Sequence, residues 1–197
     1  MNNLQQTKQA TYKIKKVFNN NVILALREKE DQELVLVGKG LGFSAEPGEI
    51  VHLKEKKIDR EFIPVQKEET RQRYQQLIEE VNNEVIGLTE EIIAMVCSQL
   101  NENLSKHIRI TLANHIEFTL ERLNQGQEIT NPFLRETRTL YDKEYQLACQ
   151  AVKMIEDRFS IAIPEEEIGF ITLHIHAART ERDVSTTTKY TSLIGKM

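Results

Sequence analysis

Nowhere does the 197-residue sequence sustain the roughly 18 consecutive apolar residues that a membrane-crossing helix requires. Its opening, MNNLQQTKQAT, lacks the apolar centre of a secretory signal. A cytoplasmic chain without membrane insertion is expected. Cysteine is scarce: Cys97 and Cys149 are the whole complement, each among apolar neighbours in a helix-like segment, where a reduced structural thiol is the default. Acid is missing from the first 27 residues, whose charged side chains are Lys8, Lys13, Lys15, Lys16 and Arg27. Such clustering is an electrostatic pointer to a phosphate backbone, although a solvated strand face explains it as well when taken alone. Also missing are HExxH, CxxC, a Ser/His/Asp order and carboxylates paired in a persuasive context. No enzyme activity, metal site or cofactor is therefore expected.

What is present divides by charge and by period. Through Ile63 the chain carries 11 Lys and Arg against 9 Asp and Glu, a balance of +2, and the remainder stands at -6. From Tyr12 to Ile63 short runs of strand formers are punctuated by NNN, EKEDQ and SAEPGE, which reads as a small four-stranded antiparallel sheet. So small a sheet has one apolar face to cover, and a second copy of itself is the obvious cover. Pro64 ends this region. Residues 64–70 read as a linker, and the period then becomes helical, with helices expected near Glu68 to Ile86, Glu90 to Leu104, His107 to Gln125, Pro132 to Leu140, Lys143 to Arg158 and Pro164 to Ala178. Thr89 and Asp142 suit N-caps, Asn131 with Pro132 a cap and first turn, and Gly126 a left-handed helix end. The expected fold class is α+β in two domains: residues 1–63 as the sheet domain, 71–180 as an all-helical bundle, and 181–197 as a polar, Thr-rich tail.

Three segments stand out chemically. The asparagines of VFNNNVI suit a tight turn, and their amides also suit the edges of nucleic-acid bases. The glycines of VGKGLGF lack the following helix of a dinucleotide site and the GKS or GKT of a nucleotide loop, so they read as a bulged strand where a backbone or ligand approaches closely. Lys39 and Phe43 then become a cation and a stacking ring of the kind single-stranded or distorted RNA rewards. In LHIH, a strand would put His174 and His176 on one face as a possible metal pair. Pro164 and Glu165 to Glu167 favour a helix instead, in which the two diverge by about 200°. His115 lies on the rim of the apolar stripe Ile108, Leu112, Ile116 and Leu120. Both His115 and His174 read either as satisfied core-edge imidazoles or as acceptors of a phosphoryl group.

KIKKVFNNNVI, VLVGKGLGF, LANHIEF and PEEEIGFITLHIHAA together resemble the BglG/SacY family of bacterial transcription antiterminators, closest to its glucose-type members, from about Tyr12 to Ala178. The resemblance implies a dimeric, four-stranded RNA-binding domain and the first of two helical regulatory domains controlled by the sugar phosphotransferase system (PTS). It implies RNA contacts at Lys16, Asn19, Asn21, Gly38, Lys39, Gly40 and Phe43, and regulatory phosphorylation at His115 and His174. Two positions depart from the common pattern: Lys39 stands where relatives often have Arg, and Asn114 where they commonly have Asp. The implied partners are an RNA hairpin overlapping a terminator, a second copy of the chain, and the phosphotransfer proteins HPr and a sugar permease EII. A sensory module that dimerises without binding RNA is the alternative from another class.

Overall fold

Along β1 (Gln9–Asn19), Tyr12 and Ile14 are buried while Lys13 and Lys15, alternating with them, are exposed, the period-two pattern of a strand with one covered face. The computed structural model describes residues 9–63, 68–127, 129–181 and 184–194. It divides into two units, Met1–Ala94 and Met95–Met197.

The first unit holds β1, β2 (Val22–Arg27), β3 (Gln32–Val37), β4 (Ile50–Lys54) and β5 (Arg60–Phe62), all antiparallel in the order β4-β1-β2-β3-β5. Register stacks Ile14 beside Ala25 and Leu34, and Val17 beside Ile23 and Leu36. These residues and Tyr12 form the core of one face, with Leu41, Val51, Leu53 and Ile58 packed on it. The sheet has five strands where four were expected. Only three residues long, β5 carries too little pattern to be read locally, and it exists because Val35, Leu36 and Val37 offer an edge to Phe62, Glu61 and Arg60. It also shows how the sheet is shaped. β4 and β5 are opposite edges, which a flat sheet would hold about 19 Å apart. The segment joining them contains a helical turn at Glu55–Lys57 and reaches roughly 16 Å. The sheet must therefore curl, and the two register shifts in β1, between Ile14 and Lys16 and between Val17 and Asn19, supply extra twist.

Helix α1 (Glu68–Glu80) and the beginning of α2 (Asn83–Leu100) complete this unit. The expected break near Ile86 to Glu90 falls earlier, at Val81 and Asn82, because the Asn82 Oδ1 accepts the Glu84 amide at 2.8 Å and opens the helix there. Thr89 is consequently no cap. It lies inside α2, buried, with its hydroxyl donating to the Val85 carbonyl at 2.8 Å. The expected linker at 64–70 lies partly outside the described residues.

In the second unit, α6 (Glu165–Arg179) packs against α3 (Ile108–Asn124), α4 (Leu134–Leu140), α5 (Asp142–Phe159) and α7 (Val184–Ile194). Its central place explains why Ile171, Leu173, Ile175, Ala177 and Ala178 are all buried, on more than one face. Gly169 permits the approach of α4's leading loop, since a Cβ there would stand 2.5 Å from the Asn131 Nδ2. Asn131 itself accepts the Phe133 amide at 3.1 Å, and Gly126 is left-handed (φ +70°). α7 replaces part of the expected tail. Its threonines look polar in sequence, yet Thr188 and Thr191 return their hydroxyls to the carbonyls of Val184 and Thr187, leaving methyl groups to pack. Thr187 and Thr191 are buried.

Candidate nucleic-acid interface and histidine site

The Asn turn and the glycine loop, distant by about twenty residues in sequence, are one structure. The Gly38 amide donates to the Asn21 carbonyl at 2.9 Å, and the Gly42 amide to the Asn20 carbonyl at 2.9 Å. The Gly40 amide donates to the Asn21 Oδ1 at 3.0 Å. Within the turn, the Asn19 Oδ1 accepts the amides of Asn21 (2.8 Å) and Val22 (2.9 Å). Side-chain carbonyls thus hold the backbone, and the amide groups are left as donors. Gly40 adopts φ +72° at the loop's crest, where a Cβ would be strained. Gly42 is the point of closest approach: a Cβ there would lie 2.0 Å from the Asn19 carbonyl oxygen. Phe43 is 71 % exposed, which removes it from any core of the described chain, and Lys39 and Gly40 beside it are exposed as well. Asn20, which sequence reasoning passed over, is the exposed asparagine of the three.

Not every expected contact is open. The Lys16 ammonium donates to the Ile78 carbonyl at 2.8 Å. Asn19 is buried, and its Nδ2 donates to the Glu91 Oε1 at 2.8 Å while the Asn21 Nδ2 donates to the Oε2 at 3.1 Å. Lys13 and Lys15 are the exposed cations of β1. A cavity of about 740 Å³ lies at the other end of the strands, around Tyr12, Arg27 and Glu61. There Glu61 accepts from both the Tyr12 hydroxyl (2.9 Å) and the Arg27 guanidinium.

In the helical unit, His115 of α3 and His174 of α6 approach with ring centroids 4.9 Å apart, tilted by 40°. Both are half-buried. Helical spacing builds the rest: His115, Thr119 and Arg122 share one face of α3, and Glu167, Phe170 and His174 share one face of α6. Glu167 is the hub. Its carboxylate accepts from Arg122 and from Thr119 (3.2 Å) and stands 3.3 Å from the His115 Nε2, which makes an ion-pair distance without the alignment of a hydrogen bond. Burial alone would raise the Glu167 carboxyl, but His115, Arg122 and Thr119 together hold it below the usual carboxylate range. Burial, aided by the neighbouring His115, pushes the His174 imidazole down to about 3. A cavity of about 140 Å³, lined by Ser105, His107 and Thr111 among others, lies beside it.

His176 belongs to a different cluster. It stacks on Tyr141 with centroids 4.0 Å apart, and its Nδ1 lies 3.0 Å from the Glu144 Oε1, which also accepts from Arg179 at 2.7 Å. Burial would raise the Glu144 carboxyl, yet bonds from His176, its own backbone amide and Arg179 hold it down to about 2. Because the segment is helical, His174 and His176 face different neighbours, as the helical reading of LHIH required. No group of three or more His, Cys, Asp or Glu side chains suited to a metal ion occurs among the described residues. No described helix is long and apolar enough to cross a membrane. Sequence reasoning missed Thr119, Arg122 and Glu167 as members of the histidine site. Their signal was the spacing of seven residues from His115 to Arg122 and from Glu167 to His174.

These depressed values set the acid stability. The folded His174 stays neutral below the ordinary histidine value of 6.5, whereas the unfolded chain takes up the proton, so stability is full above pH 6.5 and is lost as pH falls toward about 3. Glu144 acts in the same direction lower down: its contribution is complete above 4.5 and disappears toward 2. Urea unfolding at pH 6.5 and 5.5 should therefore differ by about 1 kcal/mol, and His174→Gln should remove most of that difference. A wild-type profile flat over this range would refute the assignment of a neutral His174.

A curled sheet with an amide-and-glycine tip, followed by a bundle that pairs two histidines, has the architecture of an RNA-binding module joined to a helical regulatory one. Residues 12–71 match the CAT RNA binding domain and residues 90–178 the PRD domain. The chain belongs to the BglG/SacY antiterminator family, with a CAT RNA-binding domain followed by a PRD. It is 36% identical to the PtsGHI operon antiterminator of Bacillus subtilis (strain 168), covering 95% of this chain and 65% of that one. It is 35% identical to the transcription antiterminator LicT of the same organism, over 83% of this chain and 57% of LicT. The crystal structure of GlcT CAT-PRDI is similar at TM-score 0.69 and 36% identity, covering 85% of this chain and 98% of that one. The chain thus spans somewhat under two thirds of the length of these curated relatives. None of these matches is named as an enzyme.

Proposed function

We propose that the chain is a glucose-type transcription antiterminator, acting as a dimer on an imperfect RNA hairpin that overlaps a terminator in the leader of a sugar-uptake gene. The observation that carries this reading is the junction of the Asn turn with the GKGLGF loop, which carries the exposed Lys39 and is tipped by the exposed Phe43. Lys39 and Gly40 would follow a phosphate, Phe43 would stack on an unpaired base, and the amides would read base edges, while Gly38, buried with its amide on the Asn21 carbonyl, holds the loop to the turn. Names of relatives support it: they are antiterminators of PTS and β-glucoside operons.

Control would come through phosphorylation of His115 and His174 by the phosphotransfer proteins HPr and a sugar permease EII. His174 is held neutral, and the cavity beside it offers an approach. A phosphoryl group on His115 would bring about two negative charges to the Glu167 carboxylate. Arg122, now facing two anions, would be drawn between them, and the α3–α6 contact would rearrange. Asn114, in place of an acid, removes one further repulsion beside the acceptor.

Titration of the full chain with a hairpin bearing internal loops, against a fully paired control, tests the reading. Affinity for the imperfect hairpin should be the higher and should fall steeply with salt, and Lys39→Ala should reduce the log–log salt slope by about 1. Equal affinity for both RNAs would support the alternative of a protein-interaction module.

A further inference from the structure

We propose that the α1–α2 corner is a built-in competitor for RNA, with Glu91 and the Ile78 carbonyl holding the three side-chain donors, Lys16, Asn19 and Asn21, that the RNA would use. The inference rests on the RNA-binding reading above and deepens it by adding its regulation.

Three observations converge. A single carboxylate accepts from both amides, one oxygen each, at 2.8 and 3.1 Å. This is the pattern of acceptors that a base edge or phosphate would present to the same two donors, with a charge that also repels an approaching phosphate. The Lys16 ammonium lies on the C-terminal turn of α1, where the unpaired carbonyls carry the negative end of the helix dipole. Gly87 lets α2 come this close: a Cβ there would meet the Asn19 Nδ2 at 2.3 Å. Asn19, buried as a result, can be reached by RNA only if α2 withdraws.

The geometry also shows what withdrawal would leave behind. The Asn19 Oδ1 keeps its bonds to the Asn21 and Val22 amides, and the Asn21 Oδ1 keeps the Gly40 amide. All of these lie inside the sheet's own tip. Only the two Nδ2 groups and the lysine would be released, already oriented as donors. The form seen here is therefore the closed one, and the open form differs by removal of a helix corner with no refolding of the tip.

The test compares wild type, Glu91→Gln, Asn21→Ala and the double variant as full chains on the imperfect hairpin. Glu91→Gln removes the charge and sets its own amide against those of Asn19 and Asn21, so affinity should rise about tenfold. The gain should vanish when Asn21→Ala is added. If Glu91→Gln binds within twofold of wild type or more weakly, while Asn21→Ala weakens binding, the competitor is refuted and the RNA reading stands. A gain that survives Asn21→Ala also refutes it. If neither wild type nor Glu91→Gln prefers the imperfect hairpin to the paired control, both readings fall. Should Glu91→Gln lose its cooperative unfolding transition, Gly87→Ala takes its place with the same expectations, since it crowds α2 off Asn19 without altering charge.

Discussion

Gly42→Ala should lower affinity for the imperfect hairpin by at least about tenfold and destabilise the chain by about 1–3 kcal/mol. The added methyl would lie 2.0 Å from the Asn19 carbonyl oxygen and 3.1 Å from a Val17 methyl. The first of these neighbours is backbone and cannot rotate away. The loop would have to lift, breaking the bond from the Gly42 amide to Asn20 and unseating Lys39, Gly40 and Phe43 from the Asn turn. Gly48→Ala provides the control. It too lies in the sheet domain, at φ +93°, but nothing stands within 4 Å of its would-be Cβ. That change should cost about 1 kcal/mol of backbone strain and leave RNA affinity within about twofold. If the two variants bind RNA equally well, the joined tip is not the binding surface.

Glu167→Ala should be the most destabilising single change in the helical unit, at about 3–5 kcal/mol, because it strands the buried Arg122 guanidinium without its carboxylate. Glu167 is 1% exposed and Arg122 8%. Thr119 loses its acceptor in the same step. By contrast, Arg138→Ala at the exposed pair with Glu165, 3.8 Å apart, should cost under about 1 kcal/mol. Urea unfolding of both variants at pH 7.5 checks the contrast. Similar midpoints would mean that the Glu167 hub contributes nothing beyond a surface ion pair. A double variant with apolar residues at 122 and 167 should recover part of the loss, since removing both charges is less costly than orphaning one.

The histidine site was partly legible. Pro164 with three following glutamates announces a helix, and a helix separates His174 from His176. What the local pattern could not reveal is that one of those glutamates, Glu167, turns inward. Its first-turn position reads as exposed and dipole-driven until α3 supplies Arg122 from 45 residues away. The tail misled for a related reason: its threonines look like solvent-facing residues until α4 and α6 offer a surface for their methyl groups.

Alternating apolar residues, three asparagines, a glycine loop and the change to helical spacing at about Pro64 determined by themselves a small antiparallel sheet followed by helices, since backbone preference and periodicity are properties of neighbours in sequence. The tertiary structure alone decided the fifth strand, the meeting of His115 with His174, and the seat of Glu91 on Asn19 and Asn21. Those depend on side chains tens of residues apart reaching hydrogen-bonding distance, a few ångströms that no local spacing encodes.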